Sequence, residues 1–113
     1  MSSSETYYLH GGCADLADAV QRRFGWPLAM LMLMDEDGEE GVHVFNRIGS
    51  DEIFDGKGCR PLATMVAEYA PPEEQWEIDD LPDDYTEDEL EPARKAAADR
   101  YLDALLTTAS PSA

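Results

Sequence analysis

At 113 residues the chain has room for one modest hydrophobic core and not for two. Its 25 acidic against 8 basic residues, a formal net charge of −17, exclude a nucleic-acid backbone or an anionic membrane as partner, since either needs a basic patch. Solubility, a salty habitat, attraction to a basic protein and mimicry of DNA by carboxylates remain as readings of so much acid.

The longest apolar run, PLAMLMLM from Pro27, is strand-sized, so no membrane span is expected. The opening MSSSETYY lacks the basic and apolar regions of a secretory leader. The expected compartment is the cytoplasm, where Cys13 and Cys59 would be thiols rather than a disulfide.

Met1 to Glu5 is polar and expected to fray. From Cys13 the residues Leu16, Ala17, Val20 and Phe24 recur at helical spacing, with Asp15, Asp18, Gln21 and Arg22 mostly between them. This predicts a helix over 13–24, complemented by Asp15 near its start and Arg22–Arg23 near its end, and stopped by Gly25. Residues 27–34 read as a buried strand in which Met30, Met32 and Met34 fill core, and DEDGEEG as a turn. VHVFNR alternates, which predicts Val42 and Val44 on one face and His43 and Phe45 on the other.

After Gly49–Ser50, DEIFD reads as a short strand closed by GKG, and Leu62, Met65, Val66 and Tyr69 mark a short helix ended by Pro71–Pro72. QWEI suits a short edge strand. Thr86 with Glu89 resembles a capping box, but Pro92 would break a helix begun there, so the last helix is placed from Pro92. Its apolar face is Ala93, Ala97, Ala98, Tyr101, Leu102 and Leu105, and TTASPSA is a loose tail. The expected fold class is α+β, an antiparallel meander packed by the cysteine-bearing helix, a short central helix and a C-terminal helix. One domain is expected over 1–113, with a core over 6–70, an acidic linker over 79–91 and the terminal helix over 92–107.

Gly11–Gly12 before Cys13 is an odd way to open a helix, because caps are usually oxygen-bearing. Glycines there suit a sharp reversal or a close approach to the backbone. A cysteine in a first helical turn faces unpaired N–H groups and the positive end of the dipole, and both favour thiolate over thiol. Such a nucleophile needs a base and a group to orient it. His43 on the meander and Asp55 on the next strand meet if the loop between their strands is Gly49 to Asp51, which pairs Phe45 with Asp55 and sets His43 diagonal to it. A two-residue loop would turn Asp55 away.

The ordered set GGCADLADAVQRRFGWPLAMLML, GVHVFNR and EIFDGKG resembles a small papain-like thiol hydrolase, of the superfamily of NlpC/P60-type and transglutaminase-like proteins with compact phage and bacterial members. It covers residues 7–58. The resemblance implies a papain-like core, Cys13 as nucleophile, His43 as general base and Asp55 as its orienter. It implies an oxyanion held by the cysteine's own N–H and one upstream group, with His10, Tyr8 and Gly12 as candidates. The glutamine that papain-type enzymes carry upstream is absent. The implied substrate is an amide or isopeptide bond in a protein or peptide, with no cofactor and no metal.

Two alternatives compete. His10, Cys13, His43 and Cys59 have the ligand types of a Cys₂His₂ zinc site, although their spacing lacks the close pairs of structural zinc. A non-catalytic acidic module on the same fold could bind a basic partner protein, for example as a phage-encoded inhibitor of a host defence protein.

Overall fold

In a computed structural model of the protein, residues 7–9, 12–36, 38–82, 85 and 91–109 are described, the side chains of residues 35, 108 and 109 excepted. Helix α1 spans Cys13–Phe24, followed by strands β1, Leu28–Asp35, β2, Gly38–Arg47, β3, Glu52–Asp55, and β4, Gly58–Pro61. Helix α2, Leu62–Tyr69, strand β5, Gln75–Asp80, and helix α3, Pro92–Ala109, complete the order. The architecture is α+β, with one antiparallel sheet in the order β4-β3-β2-β1-β5.

The sheet is larger than the expected meander. The Asp-Gly-Lys-Gly stretch is a tight hairpin that pairs Asp55 with Gly58 and continues as β4. QWEI extends through Asp80 as edge strand β5, paired with β1, so residues 79 and 80 belong to the sheet and not to a linker. The expected turn over residues 35–41 is shorter, because β2 already begins at Gly38. Met1 to Glu5, the Thr86–Glu89 capping box and the end of the tail lie outside the described residues. Among the described residues no helix is long and apolar enough to cross a membrane.

Apolar residues from the two sides of the sheet form separate clusters. On one side Ala29, Leu31, Phe45 and Ile53 pack against Met65 and Val66 of α2. On the other, Leu28 and Val44 pack against Cys13 and Ala17 of α1, while Leu16, Ala19 and Val20 meet Phe54 and, from α3, Ala98 and Leu102. Val42 does not share the side of Val44. The β1–β2 register shifts between Leu31, opposite His43, and Met32, opposite Gly41, which leaves Val42 as the extra residue of a bulge. Val42 therefore packs with the Leu31 cluster. The bulge falls immediately before His43.

Helix α1 is fixed at both ends. Gly25 closes it in the left-handed conformation, φ 76°. Behind it, buried Asn46 of β2 donates through one amide nitrogen to the carbonyls of Ala17, at 2.9 Å, and Trp26, at 3.1 Å. Helix α3 runs alongside α1 in the same direction, as three ion pairs in sequence order require: Asp15–Arg94, Arg22–Asp99 and Arg23–Asp103. Asp15 and Asp18, which fall between the apolar positions of the helical pattern, are both buried, whereas Phe24, one of those apolar positions, is exposed. Asp15 is held by Nε and an outer nitrogen of Arg94, at 2.9 and 2.7 Å. Along α3, Ala93 is exposed and Leu106 takes a place on the buried face.

Asn46→Asp should be costly, since it would set a buried carboxylate against two carbonyl oxygens in place of a donor. The expected loss is at least about 1–3 kcal/mol of unfolding free energy at pH 7. Urea denaturation of the variant checks this; an unchanged midpoint would remove Asn46 from the forces that seat α1.

Candidate active site

The β2–β3 hairpin decides whether His43 and Asp55 can meet. Its register pairs Asn46 with Phe54 and Arg47 with Ile53, and the Ile48 N–H donates to the Glu52 carbonyl at 3.0 Å. The loop is therefore the three residues Gly49 to Asp51, and Asp55 falls opposite Phe45, diagonal to His43. Nε2 of His43 lies 2.9 Å from a carboxylate oxygen of Asp55, with both side chains wholly shielded from solvent.

Cys13, the first residue of α1, acts on the same imidazole. The amide of Val44 donates to its sulfur at 3.3 Å. Burial alone would push the His43 pKa down, but hydrogen bonds to Asp55 and Cys13, and the negative charge of each, raise it above the ordinary histidine value. With Nε2 taken by Asp55, Nδ1 is the nitrogen left for the sulfur. It is fully buried and has no hydrogen bond of good geometry.

Asp55 accepts hydrogen bonds from three residues, His43, Lys57 and Arg60. Burial raises its pKa, yet hydrogen bonds from His43, Arg60 and the Lys57 amide, with the charge of Arg60, lower it overall. Arg60 contacts both carboxylate oxygens, its shortest bond being 2.6 Å, and spends another nitrogen on Glu68 at 2.6 Å. Lys57 joins from outside, its ammonium 3.1 Å from Glu68. The result is a chain of alternating charge, His43, Asp55, Arg60, Glu68 and Lys57, running from the interior to the surface.

The other sequence candidates divide. His10 lies outside the described residues. Gly12 is buried and its N–H donates to the Tyr7 carbonyl at 2.7 Å, so it shapes the turn into α1 and that N–H is not offered to an oxyanion. A Cβ at Gly12 would come within 2.0 Å of the Tyr7 ring, the close approach that the glycine permits. Tyr8 is a core residue, its ring 4.4 Å from that of Tyr101 on α3. Cys59 is exposed on β4 opposite Phe54, on the sheet face away from Asp55. The cation-binding types that cluster among the described residues are instead the exposed carboxylates Glu39, Glu77 and Asp79.

Arg60, Tyr69 and the Val44 amide were not read from the sequence as parts of the site. Arg60 had a signal: a two-residue Gly56–Lys57 hairpin sets it diagonal to Asp55. Tyr69 was read only as one apolar position of a helical stripe. The Val44 amide carries no sequence signal.

Arg60→Met should cost about 3 kcal/mol, the low end for breaking a buried pair, because His43 and the Lys57 amide still hold Asp55. Its urea midpoint checks this, with Arg47→Met, whose pair with Asp80 is exposed, as the contrast. The site should also shape stability against pH. The raised His43 contribution is complete below its ordinary pKa of 6.5 and is lost as pH rises through the folded value. The lowered Asp55 contribution is complete above its ordinary 3.8 and is lost as pH falls through the folded value. Unfolding free energy should thus peak between those two limits, and Asp55→Asn should flatten both flanks.

No protein-family model, curated protein or solved structure matches this chain, so its chemistry is read from Cys13, His43, Asp55 and their surroundings alone.

Proposed function

We propose that the protein is a papain-like thiol hydrolase acting on an amide or isopeptide bond of a protein or peptide, in a reducing compartment such as the cytoplasm. The single observation that carries this reading is the His43 imidazole held by Asp55 at 2.9 Å through one nitrogen and acted on by Cys13 as well. In this reading His43 takes the Cys13 proton, and the thiolate attacks the substrate carbonyl carbon to give a tetrahedral oxyanion. As the C–N bond breaks, His43 returns the proton to the leaving amine, and a thioester to Cys13 remains. Water, deprotonated by His43, then cleaves the thioester, releasing the acid and restoring the thiol. Asp55 keeps the tautomer and offsets the imidazolium charge. The Val44 N–H and the first amides of α1 favour negative charge at the sulfur.

A second reading is favoured by the burial itself. The side chains of His43 and Asp55 are 0% exposed and Cys13 is 9% exposed, as in a polar core that holds a binding module together. In that reading the excess of carboxylates draws a basic partner and no bond is cleaved.

Alkylation by iodoacetamide separates the two, followed at Cys13 by peptide mass in a Cys59→Ser background. Cys59 is exposed, and burial and Glu52 raise its pKa, so it reacts slowly in acid in any case. A catalytic Cys13 should be alkylated at about pH 6 in the folded protein, and a buried structural thiol should stay inert. Asp55→Asn should lower the pH 6 rate by roughly 10- to 10³-fold, less than the 10⁴ of a serine triad because a thiolate–imidazolium pair leans less on its third member. Asp51→Asn and Asp79→Asn should leave it unchanged. Four coincident pH profiles would leave Asp55 a structural anion with no part in activating Cys13.

A further inference from the structure

Tyr69 is the last residue of α2, and its ring lies over the imidazole of His43 with centroids 4.2 Å apart and planes 17° from parallel. Its hydroxyl donates to the Leu9 carbonyl at 2.6 Å. Burial, together with the charges of Asp55 and Glu68, raises its pKa, so it stays a neutral phenol. The hydroxyl is thus committed as a donor, and what Tyr69 offers the site is its ring.

That ring is the nearer of two that lie nearly parallel to the imidazole, the Phe45 centroid being 6.0 Å away. The Asp55 bond holds Nε2 of His43, but rotation about the Cβ–Cγ bond would tilt the ring out of that bond and carry Nδ1 away from the sulfur. A parallel ring at stacking distance blocks this rotation and keeps water off one face of the imidazole. The ring is itself held from three directions. Glu68, its neighbour in the chain, is tied to Arg60 and Lys57. Met65 and Val66, one turn back, are buried in the sheet core, and the hydroxyl is tied to Leu9.

We propose that Tyr69 is a positioning residue for His43, its stacked ring fixing the imidazole plane so that Nδ1 faces the Cys13 sulfur. This inference rests on the thiol-hydrolase reading. The titratable groups that act on His43 are Cys13 of α1 and Asp55 of β3, with Arg60 of β4 bound behind Asp55 and Glu68 of α2 bound behind Arg60. Tyr69 adds no charge among them, so its removal acts through orientation.

The test is the pH profile of Cys13 alkylation by iodoacetamide in full-length protein, in the Cys59→Ser background, for wild type, His43→Gln, Tyr69→Leu and Tyr69→Phe. Tyr69→Leu keeps an apolar side chain of moderate size but no ring, and should lower the pH 6 rate about 10-fold and move the profile toward that of His43→Gln. Tyr69→Phe restores the ring without the hydroxyl and should recover most of that loss. If His43→Gln matches wild type, the hydrolase reading falls and this inference falls with it. If His43→Gln differs while Tyr69→Leu matches wild type, only the inference falls. A Tyr69→Leu protein that is merely less stable, with an unmoved profile, also overturns it. Should that variant not fold, wild-type NMR decides: the His43 ring protons should be shifted upfield by the stacked ring, and unshifted resonances overturn the proposal.

Discussion

A carboxylate with no access to water governs the arrangement of this protein. A buried charge is tolerable only when paired and hydrogen-bonded, and Asp55 meets that condition through groups from its neighbours: His43 from β2, Arg60 from β4 and the Lys57 amide from the turn between. Each of those partners places further structure. Arg60 carries the demand on to Glu68 and so seats α2, while His43 turns the inner end of the chain toward Cys13. The three-residue hairpin loop, the bulge at Val42 and the tight turn at Gly56 are backbone solutions to one electrostatic requirement.

Much of the path to that site was readable in the sequence, because periodicity reports which side of an element is buried. The helix over 13–24, the buried strand after Pro27 and the helix opening at Pro92 all follow from apolar spacing and from the positions of Gly25 and Pro92. Alternation failed at Val42, where a bulge adds a residue that no pattern announces. Composition misled at Gly58 to Pro61, whose glycine and proline argue against a strand, although an edge strand one hairpin long tolerates both. Burial of Asp15 and Asp18 was hidden for a different reason: a charged side chain reads as solvated until its partner is known, and Arg94 lies 79 residues from Asp15. The Cys, His and Asp of the candidate site were legible by type and order, and their meeting depended on a register that the sequence permitted without requiring.

The paired glycines before Cys13 find half of their explanation in aromatic packing. The Tyr7 ring lies against Gly12, its hydroxyl reaches Asp15, and the next two residues are pinned by Tyr101, Gly56 and Tyr69. Any side chain at position 12 would displace that ring. The short helical turn over residues 7–9 is thereby bound to α1, α2 and α3 together, which makes the approach to the cysteine a shared product of elements distant in sequence.

The parallel course of α1 and α3 has an electrical corollary. Parallel neighbours stack their peptide dipoles head beside head, an arrangement that antiparallel helices avoid and that the three ion pairs along their length offset. Both amino ends then emerge on the same side of the molecule, near Cys13. Six of the eight basic side chains find an ion-pair partner among the described residues, so positive potential from mobile lysine or arginine heads is scarce on a chain of net charge −17. Backbone amides, which cannot be titrated or screened away by rearranging side chains, supply it at the end where Cys13 opens its helix.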